Sequence, residues 1–541
     1  MTAAARRRRS VLQALVMVAL FGAVAFLVFG SHARDGGWVG DSWLTRSWYS
    51  TYPHGSFFDT VGHFLDLNSM AARPANAVYR VALNEWFGGD MSAWFAWQAL
   101  SCVCMCLGLY ALMRELGIAF WDAAAISLLV LVFPASVSLW LWSAVAHASV
   151  AIALGSVGFI LALRAFRARG RRRWLLHAAS LLLFVLSVLL YEVCLPVFLA
   201  SFLIYALRAP RRQAVRRWAL DCLVLVPIAL AVTGSTEAHS QDLAGTISHA
   251  GAMAAQLPSF VFGKLLPFGS ARPLALVLLA AVYACGAVVL RRLPGTNPVR
   301  GRLRFLFALT GAGLLLVVLG YLIYFPGLDY YLPLGMGVGD RVNAVAGIGW
   351  VLALYALAAM IATLVVAALR QAPVYAGLAT AALALAVGLS WLAPIAAESR
   401  AYVAAYREGN RVLEVVRKAV PDPSPGTAIW TFGQPVEISF GVPVFANYWN
   451  MTGAVALMYH DHRVRSFVGL PGTTFVCGAD GLVPRQDPEY AAPPADKLGR
   501  FGSRYGRTYF VDTVSGQFTN LKTRRQCLEA REAFILSPQL P

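Results

Sequence analysis

The residues able to do chemistry form a polar minority in a very apolar chain. The carboxylates Asp35 and Asp41 lie in the segment 31–91, among Trp38, Trp43, Tyr52 and His54, with Asp59 further on. Burial against rings raises a carboxylate pKa and removes competing water, which suits a general base acting on a hydroxyl. Trp and Tyr also offer flat platforms for sugars or lipid tails. The same pattern fits an interfacial aromatic belt carrying solvated acids. Arg73, followed by Pro74, stands just before an apolar segment. There it could hold a phosphate through two hydrogen bonds or simply snorkel to the interface.

Three more groups follow along the chain. Phe133-Pro134 is succeeded by Trp140, Trp142, Ser143 and His147. Glu192, after Tyr191, sits between two apolar runs, where a central charge costs about 2.5–3.5 kcal/mol unless it faces a cavity or headgroups. Tyr330-Tyr331-Leu332-Pro333 is followed by Gly339-Asp340-Arg341. Arg341 suits an anionic group or a structural ion pair with Asp340. The sequence has no P-loop and no convincing zinc ligand set; His460-Asp461-His462 is a short, surface-like cluster, so no metal site is expected.

The elements that position these residues follow from composition. The chain has 541 residues, 58% hydrophobic and 13% charged, with net charge +18 and mean hydropathy +0.62. Ordinary globular domains carry about 25% charge, so a disordered chain is excluded and a soluble multidomain enzyme disfavoured. About eleven apolar runs approach the roughly 20 residues that span a bilayer: 11–30, 92–113, 120–138, 146–165, 174–191, 193–208, 218–234, 272–290, 305–325, 343–369 and 372–393. Residues 259–270 suggest a further short or re-entrant segment. Arginine clusters at 6–9, 114, 164–173, 208–217, 291–304 and 370 fall in alternate short loops. That is the positive-inside pattern. It places the N-terminus in the cytoplasm and everything after 394 outside. The +18 is then mostly topological, and nucleic acid is not an expected partner. The first run is read as an uncleaved anchor, because its apolar stretch exceeds a signal peptide's.

The tail changes composition, with more Pro, Asp, Gly and Lys. Residues 397–418 read as an amphipathic helix leaving the membrane, and 427–432 and 508–511 as strands. The expected organisation is a transmembrane body, 1–395, with a first extracytoplasmic loop at 31–91, and a small extracytoplasmic α+β domain, 396–541. Cys477 and Cys527 are the cysteines of the exported tail, and a disulfide between them is expected. Cys102, Cys104 and Cys106 would scatter around a helix and read as packing residues. Arg greatly outnumbers Lys and Ala is abundant, which points to a GC-rich bacterial genome and so to the inner membrane.

Taken in order, these pieces resemble the GT-C superfamily of polytopic membrane glycosyltransferases: an acid-bearing first loop, Arg73-Pro74, Phe133-Pro134 with Trp142-Ser143, Tyr191-Glu192, and Tyr331-Leu332-Pro333 with Arg341. Within it the chain is similar to protein O-mannosyltransferase-like bacterial proteins and O-antigen glucosyltransferases. The match covers about residues 1–395 and rests on order and sidedness. The resemblance implies a polyprenyl-phosphate-linked sugar as donor and a catalytic aspartate in the first loop, Asp41 with Asp35 as reserve. Arg73 and Arg341 would bind the donor phosphate. Trp43, His54, His147, Glu192, Tyr331 and Asp340 would line the sugar and acceptor pocket. The six-residue spacing of Asp35 and Asp41 departs from the family's adjacent acidic pair. It leaves open which is the base and whether a divalent cation takes part. The acceptor could be a cell-envelope glycan, a glycolipid or a protein. A membrane transporter or lipid flippase, and a non-catalytic cell-envelope assembly protein, remain as other readings.

Overall fold

The computed structural model describes residues 3–51, 55–234, 243–266, 272–326, 331–469, 473–486 and 502–536. The fold is a polytopic helical membrane protein with a small sheet-bearing region at its C-terminal end. Eight of the described helices are long and apolar enough to cross a membrane. The first, α1 (Ala3–Asp35), shows how such a helix divides its faces. Met17, Phe21, Ala25 and Phe29 recur every four residues and are buried, while Phe26 and Leu27 are exposed. The buried stripe packs inward, with Phe21 edge-on to Tyr110 and Phe29 stacked on Trp140 at 4.1 Å. The opposite face presents apolar side chains, as expected of a surface solvated by lipid.

Between the first helix and the next long one lie four shorter helices: α2 (Asp41–Thr51), α3 (Phe57–Leu65), α4 (Asn68–Ala71) and α5 (Pro74–Phe87). Then come α6 (Met91–Glu115), α7 (Phe120–Leu131), α8 (Ser138–Leu141), α9 (Ala146–Arg167) and α10 (Gly170–Leu190). The run expected at 193–208 is divided into α11 (Leu195–Leu199) and α12 (Ser201–Ala206). Ala200, the residue between them, has φ −92° and ψ 10°, outside regular helical geometry. After α13 (Arg211–Gly234) and α14 (Leu243–Phe260), residues Val261–Leu265 form a π-helical turn where a re-entrant segment was expected.

Next are α15 (Arg272–Arg292), α16 (Pro298–Leu322) and α17 (Asn343–Ala368). Helices α16 and α17 approach through small residues, as membrane helices do. A Cβ on Gly349 would stand 2.5 Å from the Gly313 carbonyl oxygen, so a larger residue there would force the helices apart. At one end of this pair Asp122 takes two hydrogen bonds from Arg302, at 2.6 and 2.7 Å. At the other end Asn343 donates to the carbonyls of Ala135 and Leu334, both at 2.7 Å, and accepts from Tyr321 at 2.7 Å.

The last expected span and the amphipathic segment after it form one 47-residue helix, α18 (Pro373–Ala419), with Pro394 inside it. It leads to the sheet region. Strands β1 (Ala428–Phe432), β4 (Arg465–Val468), β8 (Thr508–Asp512) and β9 (Phe518–Leu521) form a sheet in the order β4-β1-β8-β9. β1 runs parallel to both neighbours and β9 is antiparallel to β8. Trp430 of β1 is fully buried between Phe467 and Phe510, stacked on both. A short pair, β2 (Glu437–Ser439) and β3 (Val442–Pro443), and helix α19 (Tyr448–Tyr459) connect β1 to β4. β5 (Thr473–Cys477), β6 (Gly481–Gln486) and β7 (Ser503–Arg504) form a second antiparallel sheet. A Cys477–Cys527 disulfide ties β5 to the final helix, α20 (Arg524–Leu536).

This region is seated on the helical body. The Cβ position of Gly453 in α19 lies 2.6 Å from the Leu44 Cα of α2, so glycine permits the close crossing. Trp43 packs between Tyr406 of α18 and Phe445.

Candidate active site

Asp41 is the first residue of α2, a position where the unpaired N–H groups of a helix favour negative charge. It is half-buried. Its Oδ1 accepts the indole N–H of Trp449, in α19, at 2.9 Å. The next residue, Ser42, is hydrogen-bonded to Ser143 at 2.8 Å, which fixes the start of α2 against the turn before α9. Trp142 in that turn donates to the Val39 carbonyl at 2.9 Å. Gly40, between Val39 and Asp41, has φ +55°, a conformation that glycine adopts without strain.

The ring of Trp142 also meets Arg341. The Arg341 guanidinium lies 5.1 Å from the Trp142 ring centroid and 5.6 Å from that of Tyr331. It also donates to the Val338 carbonyl at 3.0 Å. Trp142 thus stands between the backbone leading into Asp41 and Arg341. Asp340 is wholly buried and accepts the backbone N–H of Val137 at 2.7 Å and of Ser138 at 3.2 Å, capping α8. Glu398 of α18, also buried, accepts the Gly337 N–H at 2.7 Å. Two carboxylates therefore pin the loop that carries Tyr331 and Arg341.

Arg73 precedes Pro74 at the start of α5. Its guanidinium pairs with both Glu192 oxygens, Nε to Oε2 at 2.8 Å, and lies 4.9 Å from the Tyr191 ring centroid. Burial alone would depress the Arg73 pKa; the Glu192 carboxylate outweighs it and raises it. The residues expected to act separately, Arg73 on a phosphate and Glu192 on a sugar, are thus a neutralised pair. His147 packs edge-on against Tyr191 at 4.8 Å. Its Nδ1 lies 3.2 Å from an Arg80 nitrogen. Because arginine can only donate, Nδ1 is the acceptor and the ring proton is on Nε2. That Nε2 is buried and, among the described residues, without a hydrogen-bond partner.

The remaining expected residues lie apart or outside. Asp35, at the end of α1, is ion-paired with Arg34 at 3.1 Å and lines a 670 Å³ cleft with Arg400, Arg407 and Arg411. Asp59 closes a capping box with Ser56 on α3, and those hydrogen bonds hold its carboxyl below the usual range. Trp43 is buried in the contact between the helical body and the C-terminal region. His54 lies outside the described residues. Among the described residues no group of three His, Cys, Asp or Glu side chains could hold a metal ion. The residues that sequence reasoning missed are Arg80, Trp449 and Glu398. Arg80 carried a signal: a charge seven positions after Arg73 in an apolar stretch.

The helical body also holds an apolar cavity of 590 Å³, lined by Ile152, Cys194, Phe198, Leu309, Val345 and Ile348 among others, with Arg208 in its lining as well. Three stretches of its wall continue elements of the cluster, and the rest comes from α6, α7, α12 and α16. Ile152 follows His147 along α9, Cys194 follows Glu192, and Val345 follows Arg341 into α17.

No family model and no curated protein matches the chain. Among solved structures it is similar to the crystal structure of ArnT from Cupriavidus metallidurans bound to undecaprenyl phosphate. The identity is 13%, over 83% of this chain and 85% of that one, with a TM-score of 0.37. It is also similar to the apo state of the same protein, at 16% identity over 78% and 87% of the two chains and a TM-score of 0.34. Likeness this loose leaves the activity to be argued from the site.

Proposed function

We propose that the protein is an integral membrane glycosyltransferase of the GT-C type. It moves a sugar from a polyprenyl-phosphate donor to an extracytoplasmic acceptor: a cell-envelope glycan, a glycolipid or a protein. The observation that carries this reading is that His147, Glu192 with its partner Arg73, and Arg341 stand on elements that run on into the wall of the apolar cavity. A lipid-linked donor needs that combination, a place for its tail in the apolar layer and cations where its phosphate emerges. In this reading the N-terminus is cytoplasmic, the cluster faces the periplasm, and residues 396–541 form a domain on that side of the inner membrane.

The reaction is an inverting displacement. Asp41 takes the proton of the acceptor hydroxyl as its oxygen attacks the anomeric carbon. The bond from that carbon to the phosphate oxygen breaks, and the electron pair leaves with the polyprenyl phosphate. Arg341 and the Nε2–H of His147 stabilise the charge on the departing phosphate, a preorganised electrostatic role. Arg73, already matched by Glu192, holds Tyr191 in place against His147. Tyr331, Asp340 and Glu398 shape and anchor the loop that presents Arg341. General-base assistance is typically worth about 10²–10⁴-fold.

Incubating purified protein with a labelled polyprenyl-phosphate sugar and a cell-envelope acceptor fraction tests the reading. Label passing to the acceptor supports it. Intact donor after prolonged incubation with a panel of sugars and acceptors counts against it.

A further inference from the structure

The 670 Å³ cleft that Asp35 lines lies where α1 and α18 leave the apolar layer side by side. His32 of α1 sits edge-on to Tyr402 of α18 at 6.2 Å, and the Cβ position of Gly37 falls on the Tyr406 ring. Arg400 therefore stands near Ser31, where the apolar run of α1 ends. Arg407, two turns on, stands near Asp35, on which it acts electrostatically without forming an ion pair. The spacing of Arg400, Arg407 and Arg411 puts all three on one face of α18. Arg411 is paired with Glu408 at 2.6 Å and Asp35 with Arg34 at 3.1 Å. Arg400 and Arg407 are exposed, and among the described residues neither makes an ion pair or a hydrogen bond. The cleft therefore holds two positive charges beyond those its own carboxylates match.

We propose that this cleft binds the phosphate headgroup of an anionic membrane lipid. Guanidiniums hold phosphate through paired hydrogen bonds, and basic residues beside the end of a span attract anionic lipid. The volume lies within the roughly 300–1,000 Å³ of small-ligand sites. The surface that leads to the cleft is apolar, as the acyl chains require. Leu27, one turn before Ser31, is 80% exposed, and Leu389, three turns before Arg400 on the same face of α18, is 56% exposed. A zwitterionic headgroup would set its own ammonium against the two surplus arginines. Ile438 of β2 lines the far side of the cleft, and Gly441 in the same hairpin accepts the Val338 N–H at 2.7 Å. A bound headgroup thus braces the hairpin that holds the Arg341 loop. The site rests on the membrane-spanning body alone and does not depend on the glycosyltransferase reading.

The test uses the full-length protein in an uncharged detergent, with thermal unfolding followed as phosphatidylglycerol or phosphatidylcholine is added. Ligand that binds the folded state raises the melting temperature in proportion to the logarithm of its concentration beyond Kd. The expected result is a rise with phosphatidylglycerol, little with phosphatidylcholine and none with glycerol phosphate. The rise is lost in the double variant Arg400→Gln with Arg407→Gln. It persists in Arg417→Gln with Lys418→Gln, which removes two charges from the same helix outside the cleft. Equal shifts with the two lipids overturn the site, as does a shift that survives unchanged in the Arg400–Arg407 variant. An equal shift with glycerol phosphate makes the ligand a free phosphate and overturns the lipid assignment. If the double variant does not fold, a photoreactive phosphatidylglycerol on the unaltered protein decides. Crosslinks to residues 31–35 or 400–411 support the site, and crosslinks confined to other segments overturn it.

Discussion

Trp449 donates its indole N–H to Asp41 at 2.9 Å, across 408 positions of sequence. The C-terminal region therefore reaches into the first-loop site. α19 runs beside α2, with Trp449 at Asp41, Gly453 at Leu44 and His462 bonded to the Thr51 carbonyl at 3.0 Å. In the proposed reaction Asp41 is the base, and Trp449 sets which way its carboxylate faces.

Trp449→Phe keeps the ring and removes the donor. Turnover is expected to fall about tenfold or more with donor KM near the parent value, beyond the modest drop in melting temperature that losing a hydrogen bond to a charged group brings, about 1.5–3 kcal/mol. Steady-state kinetics beside a melting curve check this. A purely structural Trp449 would lower the melting temperature and leave the turnover of folded protein intact.

The Arg73–Glu192 pair gives a second expectation. Glu192→Gln leaves Arg73 buried beside a neutral partner, and breaking a buried pair costs about 3–5 kcal/mol. Part of Arg73 remains accessible, with 25% of its side-chain area exposed, so the lower end is expected. Melting temperature should drop in Glu192→Gln and recover in the double variant Arg73→Met with Glu192→Met. Activity should not recover with it, because Tyr191 loses the cation that holds it.

Asp340→Ala strips the acceptor from two buried backbone N–H groups at the start of α8. An unsatisfied buried donor costs about 1–3 kcal/mol. The expected result is lower stability together with weakened donor binding, because Arg341 rides on the same loop. Asp340→Asn retains one acceptor oxygen and should be milder in both measurements.

The cavity can be filled without touching the polar cluster. Leu309→Trp places a larger side chain in its wall. The expected outcome is a raised KM for long-chain polyprenyl donors and little change for a short-chain analogue, read in the same transfer assay. Equal effects on both donors would separate the cavity from the lipid tail.

Several members of the polar cluster were legible because a charge in an apolar setting stands out. Arg73, Glu192 and Arg341 were each singled out at the end of an apolar run, and the structure brings Arg73 and Glu192 into one pair and sets Arg341 against Trp142 beside Asp41's loop. What the chain order hides is who meets whom. Arg73 and Glu192 are 119 positions apart, and nothing local announces that each cancels the other. Arg302 looked like one more topological arginine, yet it clasps Asp122 across the bundle. Asp340 beside Arg341 invited an ion pair, but its oxygens face backbone N–H groups that sequence spacing cannot locate. The run at 193–208 is apolar enough for one helix, and hydropathy carries no signal of the break at Ala200. The Asp41–Trp449 contact needed the C-terminal region's docking, which depends on a close approach at Gly453.

In the proposed reaction Asp41 removes the acceptor proton. The most direct measurement is sugar transfer from a labelled polyprenyl-phosphate donor by Asp41→Asn, in protein shown by melting and gel filtration to be folded and membrane-inserted. Transfer at the background level, with donor binding retained, is expected. Transfer at the parent rate would contradict the account.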